Sequence, residues 1–270
     1  MKLFLKHVNS ITNFTQLKQQ TGRGTFMKYK VFAYIGSFRG SNSITERVMY
    51  SLLENLSETY GIEFNNSIYT AKNSDIHECV GCLNCFNAGV CSLHDDMNGI
   101  KEAIKDSDII ILGSPVYFHQ VSGSTKKLVD RLSYWSHILQ LRGKLGIPIA
   151  VEDTNGGQFA VDYLEKFLQY TGAAVLAKVV VSAGKLSSEA AFDSVIRHYS
   201  KQVYNNLQAP AVALLQEEYY SQLRKIVSVK DKSSFERKSW DENGLFDYRS
   251  YSDLFKCHYE KHAVKVEQRG

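Results

Sequence analysis

The sequence lacks a long apolar run, and beyond its first residues it lacks any excess of charge. No segment approaches the roughly 20 apolar residues that a membrane-spanning helix needs, so we expect no membrane partner. The net charge of +4 comes from residues 1–26, which contain four cations and no acid. The rest of the chain is therefore neutral and gives no case for nucleic-acid binding.

Internal repeats and low-complexity runs are also absent. The chain has 270 residues, of which 44% are hydrophobic and 22% charged, as in an ordinary globular protein. This length provides one large core, with room for an appendage. Residues 1–26 are basic, rich in hydroxyl groups and interrupted too early by Lys6 for a signal-peptide core. We expect a disordered N-terminal extension, with Met27 a candidate start and a targeting segment as the alternative.

From Val31 onward, five apolar segments of strand length alternate with amphipathic helical patterns. Alternation of this kind predicts a parallel sheet with helices on both faces. The predicted strands are residues 31–35, 62–70, 108–113, 147–151 and 174–181. Five strands with a polar loop after the first predict an α/β, flavodoxin-like, doubly wound sheet of order 2-1-3-4-5. We expect this domain to cover residues 27–208, followed by a helical, aromatic C-terminal extension, residues 209–270.

The loop after the first strand, residues 36–45, has the features of a phosphate site. Ser43 with Glu46 three residues later is a capping box, so a helix should begin there. A helix N-terminus offers unpaired N–H groups and partial positive charge to a phosphate, and Arg39 adds a cation. The loop matches neither the dinucleotide pattern nor the Walker loop. A phosphate monoester therefore suits it better than a pyrophosphate. The alternative is an ordinary polar turn with a good helix cap.

Two further loops should leave the same edge of the sheet, where parallel sheets bind their ligands. Residues 114–121 offer Pro115 for a rigid turn and two aromatic side chains beside a flat ring. Residues 152–158 offer backbone and amide donors, with glycines that allow close approach. A phosphate pocket, an aromatic wall and a polar edge together predict a site for flavin mononucleotide (FMN).

These motifs resemble the NADPH-dependent FMN reductase family over about residues 29–185. The first motif is Gly36-Ser37-x-Arg39-Gly40-x-Asn42-Ser43-x-Thr45, and the second is Ser114-Pro115-Val116-Tyr117-Phe118 with Lys126, Asp130 and Arg131 downstream. A run of cysteines followed by Asp95-Asp96-Met97 is similar to the iron–sulfur flavoprotein branch. The resemblance implies FMN as cofactor, NAD(P)H as cosubstrate and a homodimer or homotetramer. Phe38 departs from the usual proline, and both chain ends extend beyond the family core.

The resemblance assigns the cofactor-binding positions residue by residue. The phosphate-loop positions are Ser37, Arg39, Ser41, Asn42, Ser43 and Thr45, and the isoalloxazine contacts are Pro115, Val116, Tyr117 and Phe118. Thr154, Asn155, Gly156 and Gly157 belong to the polar edge of the site. His119, which follows the aromatic pair, is a candidate proton donor. No other side chain is assigned a catalytic role, since a flavin performs the chemistry itself.

Four of the five cysteines lie within a short stretch, the cysteine segment, residues 79–91. Cys79, Cys82, Cys85 and Cys91 form C-x2-C-x2-C-x5-C, a spacing at which four thiolates can enclose a [4Fe–4S] cluster. A zinc site, a redox dithiol and free thiols are the alternatives, although zinc prefers two separated pairs. Clustering of this kind points to a reducing compartment, the cytoplasm. Cys257 is expected to be a packed thiol.

The sequence therefore predicts an FMN-dependent NAD(P)H oxidoreductase that reduces a quinone, a nitro or azo compound or a protein acceptor. The rival from another class is an electron carrier, fed by ferredoxin, that does not oxidise NAD(P)H. A binding or regulatory protein without a cofactor is a third hypothesis. Residues 235–259 hold seven aromatic side chains after the predicted sheet is complete. We expect them outside the primary core, either on the outer face of the same subunit or, as the family resemblance favours, against a neighbouring subunit beside its flavin pocket.

Overall fold

The structure, a computed structural model, describes residues 27–267. The strands are β1 (Lys28–Ile35), β2 (Glu63–Thr70), β3 (Ile109–Tyr117), β4 (Gln120–Val121), β5 (Leu145–Glu152), β6 (Ala174–Val175) and β7 (Val179–Ser182). The helices are α1 (Ile44–Tyr60), α2 (Asn84–Ala88), α3 (Met97–Asp106), α4 (Gly123–Arg131), α5 (Gly157–Thr171), α6 (Glu189–Gln208), α7 (Leu214–Ser228), α8 (Phe235–Glu242) and α9 (Tyr251–Glu267). The predicted N-terminal extension lies outside the described residues.

The parallel strands run in the order β2-β1-β3-β5, and both β6 and β7 pair with β5 on its far side. The register places the ends of neighbouring strands side by side: Ile35 lies opposite Thr70 on β2 and Gly113 on β3. Strands β1, β3 and β5 are buried almost throughout. This is the α/β, flavodoxin-like fold that the sequence predicts. The loops that follow β1, β2, β3 and β5 therefore meet at one edge.

The helices begin and end where local signals predict. Ser43 accepts a hydrogen bond from the N–H of Glu46 at 3.3 Å, which caps α1, and Ser188 caps α6 in the same way. Gly172 ends α5 in the left-handed conformation that a glycine adopts without strain. Helices α1 and α6 pack on one face of the sheet, while α3, α4 and α5 contribute to the core on the other.

Three sequence-based boundaries differ from the structure. The predicted fifth strand is divided into β6 and β7, which pair with different parts of β5 and are separated by residues 176–178. The sequence pattern predicts a helix from about Ser122 to Trp135, but α4 ends at Arg131 and the chain continues as a short 3-10 turn. Pro115 does not make the turn after β3; it lies within the strand, opposite Val151.

The C-terminal extension belongs to the core of its own subunit, which contradicts the expectation of a neighbouring subunit. Trp240 and Tyr251 are fully buried in the cluster on the α1 and α6 side of the sheet. The Trp240 indole donates a hydrogen bond to the carbonyl of His137 at 2.8 Å, and the Tyr251 hydroxyl donates to the carbonyl of Gly172. The sequence pattern missed this because the contacts join segments far apart in the chain.

Among the described residues, no helix has the length and apolar character of a membrane span.

Candidate functional site at the carboxyl edge of the sheet

Hydrogen bonds join the loop after β1 to β3 and to Ser122, the residue between β4 and α4. The Gly36 N–H donates to the Gly113 carbonyl at 2.8 Å, and the Ser122 hydroxyl donates to the Gly36 carbonyl at 2.7 Å. Ser122 also caps α4, so one side chain serves both loops. A Cβ at Gly36 would lie 1.8 Å from the Thr125 hydroxyl oxygen. Only glycine permits this close approach of α4.

The loop of residues 36–45 forms a cradle of donors. The Ser43 side chain uses the Glu46 N–H, and the first helical bond runs from the Arg47 N–H to the Ser43 carbonyl. The N–H groups of Ile44 and Thr45 lie in the first turn of α1, where the helix provides no carbonyl acceptor for them. They therefore remain available to an anion. Of the predicted positions, Arg39, Ser41 and Asn42 are exposed and can reach a ligand, whereas Ser37, Ser43 and Thr45 are buried.

A second cation beside this loop was missed by sequence reasoning. Lys72 follows β2, and its ammonium lies 3.3 Å from the position that a Cβ on Gly40 would occupy. Burial raises the pKa of the Glu46 carboxyl, and the nearby Lys72 charge partly offsets that shift. Among the described residues neither Lys72 nor Arg39 forms an ion pair, although the Lys72 charge lies near the Glu46 carboxyl. The predicted strand order, which places β2 next to β1, was the signal that could have identified Lys72.

The loop after β3 is a two-residue hairpin into β4. Phe118 and His119 occupy its centre with φ of 48° and 63°, a conformation that bulky residues rarely adopt. Tyr117 is 60% exposed and Phe118 is fully exposed. Bulky residues held in this region store strain, and such strain concentrates at functional sites. The aromatic wall therefore exists, on a strained hairpin instead of a proline turn.

The loop after β5 is held against this hairpin. The His119 Nε2 lies 2.9 Å from the Asn155 Oδ1, and a Cβ at Gly156 would collide with His119. The buried Glu152 accepts hydrogen bonds from the Gly157 N–H at 2.5 Å and from the Ser182 hydroxyl. Burial alone would raise the pKa of Glu152, but these hydrogen bonds hold it below its usual value. Thr154 and Asn155 are exposed at the same edge.

The cysteine segment leaves the same edge, after β2. The residues just before and just after it are joined by hydrogen bonds. The Asp75 N–H donates to Asp96 at 2.7 Å, and the Asp96 N–H donates to the Asp75 carbonyl at 3.1 Å. The Arg131 guanidinium donates to the His77 carbonyl at 2.9 Å and forms a two-point ion pair with Asp95. Both ends of the segment are thus attached to the last turn of α4.

All four clustered cysteines line one small cavity, together with Val80, Leu83, Leu93, Asp130 and Arg131. Left-handed residues at Gly81, Leu83 and Gly89 turn the backbone around it. In the described part of the chain, no group of three or more Cys, His, Asp or Glu side chains is arranged to hold a metal ion. The compact spacing of the cysteines nevertheless suits a cubane better than zinc, which prefers two separated pairs.

The surroundings of this cavity suit an anionic, sulfur-rich group. Among the described residues, the buried Arg131 Nε has no hydrogen-bond partner, although a buried N–H normally has one. Lys101 is also buried, and burial lowers its pKa while the neighbouring cysteines oppose the shift. A cluster with four thiolates carries negative charge and accepts N–H hydrogen bonds at its sulfurs. These residues therefore fit the predicted cluster.

A doubly wound sheet with a phosphate cradle, an aromatic wall and a polar loop at its carboxyl edge defines a flavodoxin-like flavoprotein. Residues 29–187 match the family described as NADPH-dependent FMN reductase, and the chain belongs to this family. The predicted family and its FMN cofactor are confirmed at this level.

Curated relatives place the chain beside the iron–sulfur flavoproteins. An iron–sulfur flavoprotein of Methanocaldococcus jannaschii is 38% identical over 130 residues, which cover 48% of this chain and 65% of that protein. Another, from Archaeoglobus fulgidus, is 33% identical over 122 residues, covering 45% and 54%. The chain thus spans less than two thirds of the length of these relatives. The predicted branch of the family is confirmed.

Several solved structures share the fold. RosB, with a bound 8-demethyl-8-formylriboflavin-5'-phosphate intermediate, aligns with a TM-score of 0.53 at 16% identity. The alignment covers 75% of this chain and 88% of that one.

Proposed function

We propose that the chain is an FMN-dependent NAD(P)H oxidoreductase, with FMN at the carboxyl edge of the sheet. The observation that carries this proposal is the convergence of the loops after β1, β3 and β5, joined by Ser122 and by the contact between His119 and Asn155. The phosphate is assigned to the loop of residues 36–45, with the N–H groups of Ile44 and Thr45, the Arg39 guanidinium and the Lys72 ammonium as its donors.

The remaining loops would orient the ring system. Tyr117 and Phe118 offer exposed aromatic surface on one side. Thr154 to Gly157 offer amide and hydroxyl donors on the other side. The hydrogen bond from the Gly157 N–H to Glu152 fixes the position of this loop. The His119 ring stacks on the Phe159 ring, with the two centroids 5.7 Å apart, and its Nε2 lies beside the Asn155 Oδ1. His119 is therefore the candidate proton donor to an acceptor. FMN, when bound, supplies the hydride and electron chemistry. The acceptor classes proposed are quinones, nitro or azo compounds, and proteins.

The experiment is anaerobic rapid mixing of the FMN-loaded protein with NADPH and, separately, NADH. An oxidoreductase of this kind loses its flavin absorbance in the presence of at least one nucleotide, at a rate that rises with nucleotide concentration. If neither nucleotide changes the absorbance while dithionite does, the NAD(P)H activity is absent.

We also propose that Cys79, Cys82, Cys85 and Cys91 hold a [4Fe–4S] cluster in a reducing, cytoplasmic setting. The buried, unpaired Arg131 Nε supports this proposal because it would donate a hydrogen bond to a cluster or cysteine sulfur. Protein purified anaerobically should then contain about four irons per chain. If the flavin-loaded protein holds negligible iron after reconstitution, the cluster proposal fails. The remaining assignments for the four cysteines are then a zinc site, a redox dithiol or free thiols. Zinc analysis and thiol titration of the same sample distinguish these three.

A second candidate function is an electron carrier fed by ferredoxin. It is favoured by the position of the two sites at opposite ends of α4, a 9-residue helix about 13 Å long. Ser122 contacts the phosphate loop at one end, and Arg131 contacts the cysteine cavity at the other. Reduction of the flavin by ferredoxin, with no response to either nucleotide, is the outcome that supports this function.

We further propose a homodimer or homotetramer in which exposed aromatic groups beside the site meet another subunit. Phe38, Phe118 and Phe159 are each more than 60% exposed at the same edge of the sheet, and exposed patches of this kind favour association. Light scattering should give a mass of two or four chains, and Phe118→Ser should lower it. A monomeric mass at micromolar concentration contradicts the proposal.

A further inference from the structure

We propose that helix α8 of the C-terminal extension positions the cysteine segment, with Phe235 as the residue in contact. Helix α8 lies outside residues 29–187, which match the family. The inference rests on the proposed role of the cysteines as cluster ligands. It assigns a function to a part of the chain that the oxidoreductase proposal does not use.

Phe235 occupies the space next to Gly89. A Cβ on Gly89 would lie 2.3 Å from the Phe235 Cε2 and 2.7 Å from its Cζ. Gly89 ends α2, the helix that contains Cys85 and precedes Cys91, and has a φ of 74°. Glycine is therefore required there twice, by its backbone conformation and by the ring against it. The Phe235 ring closes one side of the turn that sets the separation of these two cysteines.

Aromatic contacts extend this attachment. Phe86, in α2, packs edge-on against the His137 ring at 4.9 Å and against Tyr134 at 6.3 Å. Phe235 lies 6.3 Å from the same Tyr134 ring. The side chains of α2 thus pack into an aromatic cluster, Phe86, Tyr134, His137 and Phe235, to which α8 contributes one member. Cys85, Phe86 and Phe235 all pack against the buried core that includes Tyr134.

Helix α8 is itself held rigidly to the core. The buried Glu236 lies 2.9 Å from His137 Nδ1 and forms an ion pair with Lys230. Trp240, one turn further, is fully buried, and its indole donates to the His137 carbonyl. Because Glu236 and Trp240 both hold α8 to His137, the Phe235 ring is a fixed wall for the cysteine segment. Removing the ring should free α2 and Gly89 without releasing α8.

The test measures thiol alkylation in metal-free, FMN-loaded protein, with each cysteine followed by peptide mass analysis. In the Phe235→Ala variant, Cys85 and Cys91 should react about tenfold faster, because local opening of α2 becomes easier. Phe235→Leu, which keeps most of the volume, should give a smaller increase. Gly89→Ala, which displaces the ring from the other side, should give an increase like that of Phe235→Ala. Phe246→Ala is the matched control, since Phe246 is half-buried in the same extension and packs on Trp240.

Three outcomes decide the matter. Faster reaction of Cys85 and Cys91 in the Phe235 and Gly89 variants, but not in Phe246→Ala, supports the role of α8. Unchanged rates in the Phe235 variants overturn it. Equal increases in Phe235→Ala and Phe246→Ala also overturn it, because the extension then acts only through global stability. The assay needs no iron, so failure of the cluster proposal is detected separately, by iron analysis of the wild-type protein.

Discussion

Arg131 and Asp95 form an ion pair in which each side chain is only 1% exposed. Burial raises the pKa of the Asp95 carboxyl, but hydrogen bonds from Arg131 and from the His77 N–H outweigh that effect and hold the pKa below its usual range. The pair joins both ends of the cysteine segment to α4. An ion pair so deeply buried stabilises less than its Coulomb energy suggests, yet removing one partner leaves an uncompensated charge.

Arg131→Gln should lower the free energy of unfolding by about 3–5 kcal/mol, the range for a buried pair that loses one partner. Denaturant titration of the FMN-loaded protein measures this loss. Lys126→Ala is the control on the same helix, because Lys126 pairs with Asp130 at the surface and exposed pairs of this spacing contribute about 0.3–0.5 kcal/mol. Equal losses in the two variants would contradict the importance of the buried pair.

Arg39→Ala should weaken FMN binding by about 1.5–3 kcal/mol, the range for a charge-assisted hydrogen bond. Lys72→Ala should also weaken it, with a stronger dependence on salt if the Lys72 ammonium acts at longer range. Flavin fluorescence quenching gives both affinities, and Lys201→Ala, on the exposed surface of α6, serves as the control. Wild-type affinity for FMN in both test variants would contradict the assignment of the phosphate to this loop.

Glu152→Gln should lower stability by about 1–3 kcal/mol. The carboxylate accepts from two donors, the Gly157 N–H and the Ser182 hydroxyl. A glutamine amide places a third donor against one of them, so a buried donor is left unpaired. Thermal melting monitors the change, and the exposed neighbour Asp153→Asn should leave the melting temperature unaltered.

Stability should increase with pH between about 4 and 6.5. Burial, followed by the charges of Arg142, Lys261 and His262, lowers the pKa of His258 to about 4. In this window the unfolded chain binds a proton at His258 that the folded chain does not, so unfolding becomes easier as the pH falls. The slope can reach about 1.4 kcal/mol per pH unit for one such group. Denaturant midpoints at several pH values should show this slope, and His258→Gln should reduce it. A profile that His258→Gln leaves unchanged assigns the slope to other groups.

Local patterns predicted the position of the loop of residues 36–45 and its helix cap, because these signals are short-range. The cap at Ser43 and the strand before Gly36 are encoded within a few residues of one another. Lys72 could not be identified in this way, since its place depends on the pairing of β2 with β1. The Phe118–His119 hairpin was missed for a different reason: bulky residues give no turn signal, and only the β3–β4 pairing explains their conformation.

The C-terminal aromatic residues show most clearly the limit of prediction from the sequence. Their number indicated burial, but composition does not specify what they bury against. Trp240 contacts residues after α4, and Tyr251 contacts the end of α5. Contacts over such separations depend on the completed sheet. The contact between Phe235 and Gly89 is of the same kind, and no local pattern around either residue predicts it.

The pairing of Asp75 with Asp96 has a consequence for how this chain can vary in length. Because the two backbone ends of the intervening stretch already meet, residues inserted between them leave β2 and α3 in place. The cost of such an insertion is mainly loop entropy, which grows slowly with added length. The stretch therefore behaves as an exchangeable cassette, in which the number and spacing of the thiols can be altered independently of the flavin-binding framework.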